Sequence, residues 1–261
     1  MTNRGLAGGD GIALPAGMDQ TLLTAAAGLR ARLESLDVLG NNLANVSTAG
    51  FKADREFSTL FLGDEAEENA AGDFAWLPMV QGSLIDFRQA PLSRTEGALD
   101  LALNGPGFFV VVSPQGPLYT RGSAFRRSPQ GRLETSEGFA VLGEQGPIDL
   151  PPGEIRVSED GSVWSGDEPV GRLRLVEFAS TLGLSKAGLN YFQAAGTTLP
   201  VEAVRSSVQQ GYLETSNVNP AEAAVRLVWV TRQYEMLARA VNLVANDMNR
   251  RAIEEIPRAA G

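Results

Sequence analysis

Two segments near the ends of the chain carry apolar residues at alternating steps of three and four, which places them on one stripe of a helix. The first stripe comprises Leu22, Ala26, Leu29, Leu33, Leu36, Gly40 and Leu43; the second comprises Ala223, Leu227, Val230, Tyr234, Leu237, Val241, Val244 and Met248. This heptad rhythm is typical of helices that pack along a narrow apolar seam. We therefore predict two long amphipathic helices that pack together.

The start of the second helix is marked by capping residues. Asn219 is a favourable N-cap, Pro220 suits the first helical position, and Glu222 can return a hydrogen bond to the helix start. At 1.5 Å per residue, residues 21–43 would span about 35 Å and residues 220–253 about 50 Å. The longer helix overhangs the shorter one, so we hypothesise that other protein chains cover the rest of its seam. The alternative is a helical layer packed on the chain's own β core.

The middle of the chain has the pattern of short strands separated by turns that contain glycine or proline. The predicted strands cover residues 99–104, 108–113, 118–121, 132–135, 139–142, 155–157, 163–164 and 172–178. The pattern predicts an α+β fold in which heptad-type N- and C-terminal helices pack together and flank an irregular all-β barrel or sandwich. The predicted boundaries are a disordered extension at 1–17, a discontinuous helical domain at 18–50 and 212–256, an acidic extended linker at 51–83, a β domain at 84–200 and a return connection at 201–211.

The net charge of -9 over 261 residues narrows the choice of partners. Phosphate binding requires a basic face, and the sequence shows none, so nucleic acid is not expected as a partner. Membrane insertion is not expected either, because apolar runs such as residues 107–112 are far shorter than the ~20 residues of a spanning helix. No cleavable secretion signal is expected, which leaves export by another route open.

Neither cysteine nor histidine occurs in the chain. This excludes Cys–His and Ser–His–Asp nucleophile systems, histidine general bases and zinc sites with the usual ligands. We interpret the acidic tract as a solvated linker and not a cation site; its carboxylates are Asp64, Glu65, Glu67, Glu68 and Asp73. We interpret Asp160 and Gly161 as part of a turn. We expect no catalytic residue, metal or cofactor; a carboxylate-dependent enzyme or a carbohydrate-binding β protein is the competing class.

Four motifs follow one another in the sequence, and their order is more specific than any one of them. The first, at residues 41–52, and the last, at residues 211–219, flank the predicted helices; their key residues are Asn41, Asn42, Leu43, Ala44, Asn45, Gly50 and Phe51, and Ser216, Asn217 and Val218. The other two are residues 84–92 and 99–111. With these motifs, the chain resembles the bacterial flagellar rod and hook family from about Met18 to the C-terminal helix.

The resemblance implies a structural subunit of the flagellar basal-body rod, which polymerises through the seams of its terminal helices and transmits motor torque to the hook. The implied partners are other rod subunits, further copies of itself, the hook protein and the flagellar type III export apparatus. The implied location is the periplasmic rod, and no cofactor is needed. The short segment between Phe51 and Leu84 favours the proximal over the distal type of rod subunit. Residues 1–17 depart from the family pattern, so we expect them to be disordered or absent from the native protein, with Met18 as an alternative initiator.

Overall fold

The computed structural model describes residues 16–62, 76–122, 124–188 and 190–255. The predicted N-terminal extension lies outside the described residues, except for its last two positions, which begin the first helix. Residues 64–73 also lie outside them. The interpretation of the acidic tract as a solvated linker therefore stays a prediction.

Two long helices lie at the ends of the described chain. Helix α1 comprises Ala16–Ala44 and helix α2 comprises Pro220–Glu255, which at 29 and 36 residues makes them about 44 and 54 Å long. The side chain of Asn219 accepts hydrogen bonds from the backbone N–H groups of Ala221 and Glu222 at 3.1 and 3.3 Å. These bonds satisfy donors that have no partner inside the helix. The predicted start of α2 is confirmed.

Nineteen strands are formed by the described residues between the helices. In chain order they are β1 (Asp54–Leu62), β2 (Trp76–Ile85), β3 (Leu92–Arg94), β4 (Leu101–Asn104), β5 (Phe108–Ser113), β6 (Gly116–Thr120), β7 (Arg126–Arg127), β8 (Leu133–Glu134), β9 (Ala140–Gly143), β10 (Gly146–Pro147), β11 (Ile155–Val157), β12 (Ser162–Ser165), β13 (Glu168–Arg172), β14 (Leu175–Glu177), β15 (Leu184–Lys186), β16 (Tyr191–Ala194), β17 (Val201–Glu202), β18 (Ser207–Gln210) and β19 (Tyr212–Glu214). The predicted strands at 108–113 and 155–157 have the bounds of β5 and β11. The other predicted strands differ from the observed ones by a few residues at their ends.

A ten-stranded antiparallel sheet organises the β structure. Its strand order is β15-β16-β6-β5-β9-β8-β7, with β10 added to β9, β14 to β5 and β17 to β14. The strands β11, β12 and β13 form a second sheet, and β4-β18, β3-β19 and β1-β2 form pairs. The α+β class is confirmed. Within the described residues, the path of the large sheet does not close into a barrel.

Strand β5 contributes to two apolar clusters. Because side chains alternate along a strand, Phe109 and Val111 join the larger cluster while Phe108 and Val110 join the smaller one. The ring of Phe108 makes edge contacts with those of Phe87, Phe178 and Phe192, with centroids 5.5, 5.7 and 5.9 Å away. Burial on both faces explains why the sequence of β5 is a continuous apolar run.

Two predicted connections are part of the sheets. Residues 201–211, expected to be a return connection, supply β17 and β18, which pair with β14 and β4. Strand β1 and nearly all of β2 lie inside the predicted linker at 51–83, and β19 occupies the first residues of the segment assigned to the C-terminal helical domain. Pairing in ladders satisfies backbone groups that a connection would leave to water.

The described chain divides into two compact units. The first contains residues 16–37, 56–62, 76–82 and 226–255, which are parts of α1, β1, β2 and α2. The second contains residues 38–55, 83–122, 124–188 and 190–225. The second unit therefore holds the last part of α1 and the first turns of α2 together with nearly all of the β structure.

Candidate assembly site

Three ionisable side chains of the second unit form a buried group, the neck cluster, which consists of Lys52, Arg121 and Glu214. The carboxylate of Glu214 accepts hydrogen bonds from Lys52 Nζ at 2.7 Å and from Arg121 Nε at 2.9 Å. It also accepts from the backbone N–H of Ala90 at 2.9 Å, while Lys52 Nζ donates to the carbonyl of Arg88 at 2.8 Å. The three side chains are 0–2% exposed, so solvent screens their interactions little.

The neck cluster places two cationic side chains against one carboxylate. Burial lowers the pKa of Lys52, attraction by Glu214 raises it and repulsion by Arg121 lowers it, and the net pKa lies below the usual value of 10.5. Backbone oxygens accept part of the excess of donors, since Arg121 Nη1 donates to the carbonyls of Gly105 and Gly107 at 2.6 Å each; the buried Nη2 of Arg121 has no hydrogen-bond partner among the described residues. The cluster therefore ties distant segments of the chain to one carboxylate.

The neck cluster is not predicted from the sequence. Lys52 and Glu214 are 162 positions apart, and Arg121 and Glu214 are 93 positions apart, so no local spacing relates them. The available signal is weak. Lys52 and Arg121 each follow a buried position, Phe51 and Thr120, whereas both neighbours of Glu214 are half-buried.

The first family motif closes α1 and directs the chain into β1. The side chain of Asn42 donates to the carbonyl of Asp54 at 2.8 Å and accepts from its N–H at 2.9 Å. Asn45 Nδ2 donates to the carbonyl of Asn41 at 2.9 Å, which satisfies an acceptor at the helix end. Gly50 has a φ of +71°, and a Cβ there would lie 2.5 Å from a backbone oxygen, so both conformation and space require glycine.

The fourth family motif leads from β19 into α2. The side chain of Asn217 accepts from the N–H of Ala53 at 2.7 Å and donates to the carbonyl of Asp86 at 2.7 Å. Ser216 Oγ accepts from the N–H of Val218 at 3.3 Å, which stabilises the turn before the helix. The polar side chains of this motif therefore bond to backbone groups of the same unit and not to a ligand.

The structure brings the two motifs together. The N–H of Gly50 donates to the carbonyl of Glu214 at 2.7 Å, and the N–H of Asn217 donates to that of Phe51 at 3.3 Å. Phe51 is buried beneath the ammonium of Lys186, which lies 4.2 Å from its ring centroid. Of the other motif residues, Leu43 and Val218 are half-buried and Ala44 is exposed. The end of α1 and the start of α2 are thus held by one hydrogen-bonded region. We call this region, which comprises the two motifs and the neck cluster, the neck.

The predicted seam residues differ widely in exposure. Val230 is buried; Leu29, Leu36, Leu43, Leu227, Tyr234, Leu237 and Val241 are half-buried; Ala26, Leu33 and Val244 are exposed. The side chains of Leu22 and Met248 lie outside the described residues. In the first unit, a Cβ on Gly28 would lie 3.1 Å from Cδ2 of Leu237, so α1 and α2 approach closely there.

Helix α2 also has a second apolar surface, the outer face, which is not predicted from the sequence. Its members Val228, Trp229, Met236 and Leu243 are 53, 56, 63 and 71% exposed. Because successive helical residues are about 100° apart, these residues lie on another side of α2 than Val230 and Leu237. The seven-residue step from Trp229 to Met236 and Leu243 is visible in the sequence, but arginines interrupt it. Exposed apolar surfaces of this kind are typical of protein contacts.

Little else in the described residues suggests binding chemistry. No group of three or more acidic side chains is placed to hold a metal ion in the described part of the chain. The carboxylate of Asp160 accepts from the N–H and Oγ of Ser162 at 3.2 and 2.8 Å, which confirms the turn. No helix of the described residues is long and apolar enough to cross a membrane.

Three family models match the chain. The flagella basal body rod protein model matches residues 22–52, the D1 domain of the flagellar hook proteins FlgE/F/G matches residues 102–165, and the C-terminal region of the flagellar basal body rod FlgEFG proteins matches residues 209–255. The first and third matches contain the two motifs that meet at the neck. The second covers β5, β6 and β9 of the large sheet.

Rod proteins of two kinds are similar to the chain over most of their length. The flagellar basal-body rod protein FlgF of Caulobacter vibrioides is 34% identical over 224 residues, which cover 85% of this chain and 91% of the relative. The FlgG of Buchnera aphidicola subsp. Schizaphis graminum is 34% identical over 241 residues, with 82% and 92% covered. The FlgF of Mesorhizobium japonicum is 30% identical over 236 residues, with 88% and 95% covered. The chain therefore belongs to the flagellar basal-body rod protein family.

Proposed function

We propose that this rod structural subunit belongs to the proximal, FlgF-like part of the rod, and that it polymerises through its terminal helices to transmit motor torque to the hook. The exposed outer face of α2 carries the proposal, because exposed large apolar side chains grouped on one side of a helix are typical of a protein contact. Torque then passes between subunits through helix contacts. Within each subunit it passes through the neck.

The neck is suited to carrying load. Hydrogen bonds to the Glu214 carboxylate come from Lys52, Ala90 and Arg121, and charge-assisted bonds in a buried site are stronger than neutral ones in water. Helix α1 ends in this region and helix α2 begins there. Displacement of either of these helix ends would therefore have to break buried contacts. A stiff junction is what a torque-bearing subunit requires.

The alignments support the proximal type. The alignment with the FlgG relative is the longer one, at 241 positions, yet it includes only 82% of this chain. The alignment with the FlgF relative has 224 positions and includes 85% of this chain. The FlgG relative therefore carries residues that have no counterpart here. The short segment between Phe51 and Leu84 agrees with this. The alternative is a distal, FlgG-like subunit.

The remaining parts of the proposal concern partners and route. The subunit would contact other rod subunits, further copies of itself and the hook protein, and would reach the periplasmic rod through the flagellar type III export apparatus without a cleaved signal. Its α1 and α2 seams would pack in heptad fashion, as their three-and-four spacing favours. We propose no catalytic activity and no cofactor.

Copy number tests the subtype. Hook–basal bodies are purified from the source organism, and quantitative mass spectrometry measures the copies of this chain relative to the hook and other rod proteins. A handful of copies is expected for a proximal subunit, and several times more would favour the distal type. If the chain is missing from intact particles, the rod function itself is refuted.

A charge placed in the seam tests the role of the helices. Leu237→Asp places a carboxylate where α1 and α2 lie close together. We therefore expect the variant to lose incorporation into the rod while its β structure stays folded. Asn242→Asp adds the same charge at an exposed position of the same helix, on neither the seam nor the outer face, and is the matched control. Normal incorporation of the Leu237 variant would refute the seam.

A further inference from the structure

Arg232 lies in the middle of the outer face of α2. It follows Trp229 by one turn and precedes Met236 by one turn, and its side chain is exposed. Among the described residues it forms no ion pair, whereas the next arginine along this face, Arg239, pairs with Glu235 at 3.7 Å. A cation surrounded by exposed apolar side chains thus has no ion-pair partner among the described residues of its own chain.

Helix α1 presents the opposite charge in a similar setting. Leu33 is 46% exposed, and Asp37, one turn later, is exposed as well. Asp37 has no ion-pair partner within the described part of the chain, whereas the neighbouring Glu34 pairs with Arg30 at 3.1 Å. The exposed Ala26, two turns before Leu33, extends this face. We name Ala26, Leu33 and Asp37 the α1 face.

We propose that Arg232 of one subunit pairs with Asp37 of a second copy of this chain, so that the outer face of α2 packs against the α1 face of the next subunit. This inference rests on the proposed function, because it identifies the partner surface within the rod. The contact joins two different surfaces, and repetition of such a contact gives a ring or an open helical assembly. Contact between two outer faces would bring Arg232 against another arginine-bearing surface, which disfavours that pairing.

The spacing along both helices is compatible with this contact. Arg232 lies about 4.5 Å along the axis from Trp229 and about 6 Å from Met236, and Leu33 lies about 6 Å from Asp37. With the ion pair aligned, Leu33 reaches Met236 if the helices are antiparallel and Trp229 if they are parallel. In either case an apolar contact one turn away excludes water and strengthens the ion pair relative to a fully exposed one.

Charge reversal with complementation in trans tests the pairing. Full-length Arg232→Glu and Asp37→Arg variants are produced singly in cells that lack the native copy, and mass spectrometry measures their amount in purified hook–basal bodies. Each variant should be incorporated about tenfold less than the native chain, because like charges then meet in the contact. Produced together, the two variants should recover most of the native level. The introduced glutamate of one then faces the introduced arginine of the other, and the unchanged Arg232 and Asp37 meet in the next contact.

Controls separate this inference from folding and from the proposed function. Glu168→Arg makes the same kind of charge change at an exposed position of β13 and should incorporate normally. The urea midpoints of the purified single variants should equal that of the native chain, since both positions are exposed. Normal incorporation of the single variants, or failure of the pair to complement, would overturn the inference. Absence of the native chain from the particles would instead overturn the proposed function.

Crosslinking gives an independent readout. The chain contains no cysteine, so single Asp37→Cys and Arg232→Cys substitutions provide unique thiols. Two tagged versions of different size, one with each substitution, are produced together and treated with a short bismaleimide in isolated basal bodies. A product that contains both sizes is expected. Products that join only chains of the same size would contradict the proposed contact between α1 and α2.

Discussion

Glu214→Gln is the most informative single change, because it removes the negative charge of the neck cluster and nearly keeps the shape of the side chain. The amide oxygen of glutamine can still accept from Ala90 N–H, but Lys52 and Arg121 lose their counter-charge while remaining buried. Removing one partner of a buried ion pair costs about 3–5 kcal/mol, since the other charge is left uncompensated. Domain stabilities are about 5–15 kcal/mol, so this loss is a large fraction of the total.

Urea denaturation of the full-length protein, followed by circular dichroism of the β structure, measures this loss. With a denaturant dependence of about 1–3 kcal/mol per molar urea, a loss of about 3 kcal/mol lowers the midpoint by about 1–3 M. The matched control is Asp149→Asn, which breaks an ion pair with Arg132 whose side chains are 73 and 45% exposed. Because such surface pairs contribute little, its midpoint should move by less than about 0.5 M.

The double variant tests whether the loss comes from the ion pair itself. Lys52→Met removes one of the two cations, so in the Glu214→Gln background it should cost less than it does in the native protein. Strictly additive losses, or a midpoint shift for Glu214→Gln no larger than that of the surface control, would refute the view that the neck cluster holds the unit together.

Three further changes test local features by the same urea midpoint. Burial raises the pKa of Glu177, but hydrogen bonds from Arg205 and Ser206 lower it below the usual value of 4.5. The stability that Glu177 contributes is therefore present above about pH 4.5 and is lost as pH falls through the lower folded-state pKa. In the Glu177→Gln variant, the urea midpoint should fall less steeply between about pH 5 and pH 3 than in the native protein. An unchanged slope would contradict this. Gly50→Ala should lower the midpoint strongly, because its Cβ would meet a backbone oxygen at 2.5 Å and its φ is +71°. Gly40→Ala should raise it slightly, because the position is helical with no atom within 4 Å of the added Cβ; equal effects at the two glycines would refute both assignments.

Elements with a local signal could be predicted from the sequence. Asn219 and Pro220 mark the start of α2 because capping depends only on neighbouring residues. Strand β5 is evident because residues 108–112 form a continuous apolar run of strand length, all of it buried except Val112. Strands β17 and β18 could not be predicted, since Val201–Glu202 is too short to show periodicity and acquires its conformation by pairing with β14.

The two apolar surfaces of α2 also differ in whether a local pattern in the sequence reveals them. The seam of α2 was predicted because apolar spacing along one helix is a local pattern. The outer face was not, because Arg232 and Arg239 interrupt its apolar rhythm, and only the structure shows that Trp229 and Met236 remain exposed. The exposure of a helical residue depends on what packs against the helix, which the residue's own segment does not contain.

The neck cluster gives a physical reason why the four motifs occur together in one chain. Lys52 ends the first motif, Ala90 lies in the second, Gly105 and Gly107 lie in the third, and Glu214 lies in the fourth; all are joined through the Glu214 carboxylate and Arg121. These residues therefore stabilise the fold of the second unit, and the exposed helix faces are the surfaces that we propose for assembly. Experiment should then separate the two groups of residues. Variants of the neck cluster should lower the urea midpoint of the purified subunit, whereas variants of the outer face and the α1 face should keep the native midpoint and lose only incorporation into the rod.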